Sequence, residues 1–159
     1  MNRELMVVLQ QLVLGGKIAA LGTLHENAPF VSMAPYALAK DGSIILHVSR
    51  LASHTQDMLA NRNVSLLIAE SETSEKMAQE LARVTVQGQA QMLDRDTETH
   101  MEARKVYLAR FPDAASLFEF SDFNIFIVKP ISIRLIAGFG RAVTITGDDF
   151  AMALSEARG

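Results

Sequence analysis

Between Lys17 and Ile145 the chain repeats one pattern, a strand-length apolar run followed by a turn, six or seven times, and this rhythm limits what it can fold into. The runs are "KIAALGTL", "FVSMAPYALA", "SIILHVS", "NVSLLIAE", "ARVTVQGQAQML" and "NIFIVKPISIRLI", with "GFGRAVTI" closing the series. "HENAP" and Asp41-Gly42 supply turns, the latter because both residues tolerate the positive φ of a tight hairpin. Helical stretches are expected at the start, after the third strand and before the last long one. Strands joined mostly by hairpin-length turns favour a mainly β (α+β) fold, an antiparallel barrel with a few peripheral helices, over an alternating parallel sheet.

Local signals sharpen this outline. Leu5, Val8, Leu9 and Leu12 recur at helical spacing until Gly15 and Gly16 stop them, which predicts an N-terminal helix within 1–14. "HTQDMLANR" reads as a short helix. "DRDTETHMEARKVYLARFP" reads as a longer one, capped by Asp94 or Asp96 and closed by Pro112. Gly88 marks a bulge or close approach, and Pro130 an edge or bulge. "SETSEKMAQEL" is a solvated loop or short helix, and 148–159 is expected to be a C-terminal tail. The 159 residues fit a single domain.

Composition excludes several chemistries. With no Cys there are no disulfides, thiolate ligands or thiol nucleophiles. A net charge of -3 with interspersed signs gives no field for a nucleic-acid backbone. No apolar run approaches the roughly 20 residues of a membrane span. Glu4, Gln10 and Gln11 interrupt the apolar N-terminus, so a signal peptide is not expected and a cytoplasmic protein is the simplest account. The eight Met residues are spread along the chain as core filler.

One stretch is chemically dense. "LHVSRLASHT" follows a strand with Ser49, Arg50, Ser53, His54 and Thr55, at the expected N-terminus of the short helix. Free helix N–H groups and the helix dipole make such a place an anion site, with Ser53 as N-cap and Arg50, His54 and Thr55 in reach. Read locally, the same pattern is equally a plain helix cap. Neither familiar nucleotide loop is present.

The order "PYALAKDGSIILHVSRLASHTQDMLANRNVSLLIAE", "ARVTVQGQA", "YLARFPDA" and "DFNIFIVKPISIRLIAGFGRA" resembles the pyridoxamine 5'-phosphate oxidase-like FMN-binding split barrels, and most closely their haem-utilisation (HugZ-like) branch. The resemblance implies a six-stranded antiparallel split β-barrel and a homodimer with FMN at the subunit interface. It would set the flavin ring against Met33, Ala34, Pro35 and Tyr36 and against His47, Val48 and Ser49. The phosphate would lie at Ser53, His54 and Thr55, with Arg83 adding a positive charge. Ser53 and His54 replace the Arg-Lys pair of the oxidases proper.

A flavin would supply the redox chemistry itself, which suits a chain with no credible nucleophile or acid/base dyad. The main expectation is therefore an FMN-dependent oxidoreductase acting on a small-molecule redox substrate, with no metal site and with catalytic residues unassigned. "RLIAGFGRAVTI" carries Arg134 and Arg141 but no His, which argues against vitamin B6 phosphate as substrate. The alternatives are a haem-binding protein and a flavin carrier or sensor without turnover. Haem needs an axial His or Tyr. His25 is assigned to a turn, His47 to a strand, His54 to the phosphate and His100 to a solvated helix face. Phe139 and Arg141 are read as parts of a glycine turn, and Tyr107 and Phe111 as packed on the barrel.

Overall fold

The computed structural model describes residues 1–157. Helix α1 (Arg3–Gly15) is capped by the Asn2 side chain, which accepts from the Leu5 N–H, and buries Leu9, Leu12 and Val13. Eight strands follow: β1 (Ile18–His25), β2 (Ala28–Pro35), β3 (Ala37–Leu38), β4 (Ile44–Ser49), β5 (Asn63–Ala69), β6 (Arg83–Met92), β7 (Phe123–Ile136) and β8 (Ala142–Thr146). Helix α2 (Ser53–Ala60) lies between β4 and β5. Helix α3 (Glu98–Arg110) and a 3-10 segment (Pro112–Glu119) lie between β6 and β7, and α4 (Gly147–Glu156) ends the described chain.

Every strand pair is antiparallel, in the order β2-β1-β5-β6-β7-β4-β3, with β8 on β7 beyond β4. The two ends of this path, β2 and β3, are separated in the chain by Tyr36 alone. A trans peptide step spans only about 3.8 Å, so the sheet must curl until its ends meet. The expected six-stranded barrel is thus an eight-stranded half-barrel. The run "FVSMAPYALA" breaks at Tyr36, changing partner from β1 to β4, and Ala142–Thr146 adds a strand.

Other local expectations meet the structure directly. Glu26 and Asn27, both at positive φ, form the two-residue loop between β1 and β2. Pro130 faces Gly88, where the β6–β7 register shifts at a bulge. Thr97, not Asp94 or Asp96, caps α3. The expected C-terminal tail is instead α4, because Thr146 and Asp149 form a capping box and Phe150, Ala153 and Leu154 present one buried face. Arg158 and Gly159 lie outside the described residues. No helix among the described residues is long and apolar enough to cross a membrane.

Alternation along the strands builds two cores. Inside the barrel lie Leu21, Ile44, Leu46, Leu66, Val86, Phe126 and Ile133, closed by α1 and α4. On the opposite face of β4, Ile45 joins Ala37, Ala103, Tyr107 and Ile125 beneath α3. β4 is therefore buried on both faces, and His47 belongs by parity to the face under α3.

Candidate functional site

Within the chain, the polar residues of "SRLASHT" turn to different neighbours. Ser53 is the exposed first residue of α2, not its cap; the N-cap is Ala52, with no side-chain hydrogen bond. Ser49 donates to the Asp122 carboxylate at 2.6 Å, and the exposed Arg50 reaches Met92 Sδ. Thr55 is fully buried, and its hydroxyl has no partner among the described residues. Arg83 is remote. It pairs with Ala69, at the Ile18 end of β1, and its guanidinium donates to the Leu81 and Gln79 carbonyls. The α2 contacts are at the other end of β1, about 23 Å away at 3.3 Å per residue.

What α2 does assemble is a histidine–carboxylate pair. Thr23 and His25 alternate along β1 and so share a face, and α2 delivers Asp57 to it. Thr23 Oγ1 donates to Asp57 Oδ2 at 2.8 Å, and His25 Nδ1 lies 2.7 Å from Asp57 Oδ1. Asp57 is buried while His25 is 48% exposed, so the pair runs from the interior to the surface. The Asp57 hydrogen bond and charge raise the His25 pKa. Burial pushes the Asp57 carboxyl up, but the hydrogen bonds from His25 and Thr23 outweigh it and hold the group below the usual range. Phe30, on the paired strand, tilts against the His25 ring at 5.7 Å between centroids. Beside it His54 Nδ1 is 3.1 Å from Ser32 Oγ, and burial, partly offset by Asp57, lowers the His54 pKa.

This geometry suits metal ligation. A carboxylate on Nδ1 fixes the tautomer, makes the ring a better ligand and leaves Nε2 outward. Sequence reading placed His25 in a turn and overlooked Thr23 and Asp57. The Thr-x-His alternation was visible, whereas Asp57, 32 residues from His25, carries no local signal.

The remaining expected site residues are dispersed. Met33 is exposed on the outer sheet face, Ala34 is buried, and Pro35 ends β2. Tyr36 is fully buried, donates to the Val13 carbonyl at 2.7 Å and is pushed by burial to a pKa of about 12. Val48 belongs to the barrel core. His47 stacks on Phe118 at 3.7 Å with 6° between the rings.

Burial first, then the positive charges of His100, Arg95 and Arg104, lower the His47 pKa from 6.5 to about 4. The sign follows from the folded state binding this proton less tightly than the unfolded chain. Stability from this group is full above 6.5 and is lost as pH falls toward about 4. The loss is roughly 3 kcal/mol at about 1.4 kcal/mol per unit. Urea midpoints measured across that range are expected to show it, and His47→Phe, which keeps the stack, is expected to remove that share; an unchanged acid limb would contradict the assignment.

Known proteins fit this architecture. Residues 4–152 match the family described as CREG, beta-barrel. The chain is 33% identical over 133 residues to the chloroplastic heme oxygenase HOZ of Arabidopsis thaliana, covering 84% of this chain and 39% of that protein. It is 30% identical over 125 residues to the heme oxygenase HutZ of Vibrio cholerae, covering 78% of this chain and 70% of that one. A heme binding protein from Mycobacterium smegmatis shares the fold, with a TM-score of 0.85 at 24% identity over 96% of this chain and 62% of that one.

These findings correct the FMN expectation. The relatives at 30% identity or more are named for haem. The resemblance holds in its haem-utilisation branch. With a family match over nearly its whole length and a relative of which it covers more than two thirds, the chain belongs to the CREG beta-barrel family.

Proposed function

We propose that this protein binds haem and serves haem utilisation, with His25 as the axial ligand. The observation that carries the reading is the His25–Asp57 pair, a half-exposed imidazole whose inner nitrogen is held by a buried carboxylate. The names of the two relatives support it. His25 would supply Nε2 to the iron, Asp57 and Thr23 would hold the ring, and Phe30 would offer an apolar contact. Haem brings iron-centred oxygen chemistry when bound. Oxygenase turnover is part of the proposal, with haem as the substrate.

The other imidazole stacked in an aromatic setting fits this role poorly. His47 is 6% exposed, enclosed by Phe118, Tyr107 and Phe123. The test is a haem titration followed by absorption, then addition of a reductant in air. A saturable Soret band that bleaches under reduction supports binding and turnover. A saturable band that persists leaves a binding protein, and no saturable band refutes the reading.

The partner we propose is a second copy. Ile18, Val31, Met33 and Leu67 are exposed on the outer face of β1, β2 and β5. Met33, Ala20 and Leu67 align in one cross-strand row, and Val31, Gly22 and Ser65 in the next. Small residues between large ones give a ridged apolar surface of the kind that marks protein association. Val31→Glu with Met33→Glu is expected to halve the mass measured by light scattering while leaving the far-ultraviolet spectrum unchanged. Equal masses for the two proteins would argue against this face.

A further inference from the structure

A second site lies under the N-terminal half of α3, on the opposite face of β4 from the barrel core. We propose that the cavity bounded by His47, Arg95, His100 and Arg104 binds a small oxyanion, a phosphate or a short carboxylate. Its volume is about 200 Å³, and no Asp or Glu is among its lining residues. In a chain of net charge -3, two guanidinium groups face one cavity beside two imidazoles with no carboxylate in its lining, an arrangement that favours an anion between them.

The basic groups are held in place by the protein. Arg95 donates from one terminal nitrogen to the Ser121 and Phe123 carbonyls, both at 2.6 Å, which fixes the plane of its guanidinium. Arg104 lies over the Phe118 ring at 5.1 Å from its centroid. His47 stacks on the same Phe118 ring. His100 was read from sequence as a solvated helix residue, but it is half-buried and turned to the cavity. Asp96 is the one carboxylate acting on either imidazole among the described residues, and it acts on His100.

A buried polar atom beside the cavity adds an independent observation. His47 is more than nine-tenths buried, and its Nδ1 has no hydrogen bond among the described residues. Leaving such a nitrogen unsatisfied is costly unless a ligand or water meets the ring. Size then selects the ligand class. Sites for drug-sized molecules begin at about 300 Å³, so this cavity is too small for haem or a nucleotide. Phe118 and Phe123 supply apolar walls beside the cations, which suits a short carbon chain carrying a carboxylate as well as phosphate.

The test follows the histidine ring nitrogens by NMR while sodium phosphate, and separately sodium succinate, is added at constant ionic strength and neutral pH. Saturable shifts of His47 and His100, with His25 unmoved, are the expected result, and the anion that produces them identifies the ligand class. Arg104→Gln is expected to weaken that binding by about tenfold or more through loss of a charge-assisted hydrogen bond. His100→Gln is expected to do the same without touching the Phe118 stack. Shifts that merely follow ionic strength in all four histidines, no saturable shift with either anion, or unchanged affinity in both variants would overturn the proposal.

Discussion

His25→Ala is expected to weaken haem binding by more than about a hundredfold, because loss of a supporting partner alone costs about ten- to a hundredfold and this change removes the ligand itself. Asp57→Asn tests the support. It keeps the size and the possibility of a Thr23 hydrogen bond but removes the charge that raises the His25 pKa. Its expected cost is about ten- to a hundredfold in affinity. Because His25→Ala also leaves a buried carboxylate with Thr23 as its single partner, His25→Gln is the companion variant. Gln can still donate to Asp57 but is a poor iron ligand. Normal folding of His25→Gln without haem binding would separate ligation from stability, whereas full haem affinity in both variants would remove His25 from the site.

A large loss of stability is expected from Gly88→Ala. Gly88 sits at the β6–β7 bulge opposite Pro130, and a Cβ there would fall well inside contact distance of the Lys129 carbonyl oxygen and 3.0 Å from Val128 Cγ1. A backbone carbonyl in a paired strand cannot swing aside as a flexible side chain can. Overpacking of this kind costs about 3 kcal/mol. For a chain of this size that lowers Tm by about 6–12 °C. Gly15→Ala is the control, since nothing lies within 4 Å of its Cβ and it ends a helix. Thermal unfolding of the two variants side by side checks the argument, and equal Tm values would contradict it.

Gly88 also shows which features were legible in the sequence. A glycine inside an alternating run and a proline inside a long strand are local exceptions, and they locate the bulge without knowledge of the fold. Gly138 and Gly140, both at positive φ, likewise mark the turn in "GFGRA". The break at Tyr36 left no such mark. An apolar residue that changes strand partner looks like any other strand residue, and the change is imposed by closure of the sheet. The C-terminal helix was hidden because its buried face rests on three residues, Phe150, Ala153 and Leu154.

The site was harder to read for the same reason. Crowding of Ser, Arg, His and Thr in "SRLASHT" drew attention to neighbours in sequence, but a strand end, a loop and a helix turn point them in different directions. Ser49 turns to Asp122, His54 to Ser32, and Thr55 into the interior. The groups that do meet, Thr23, His25 and Asp57, are brought together by α2 packing across β1. His47 and His100, 53 positions apart, meet at one cavity through the packing of α3 on β4.

Resonance Raman spectroscopy of the ferrous haem complex tests the central claim most directly, because it reads the iron–histidine bond itself. The account predicts an iron–histidine stretch in the wild-type protein, a lower frequency in Asp57→Asn, where the ring is a weaker ligand, and no such band in His25→Gln. An iron–histidine band of the same frequency in all three proteins would show that the iron is held elsewhere and that the His25–Asp57 pair serves only the packing of α2.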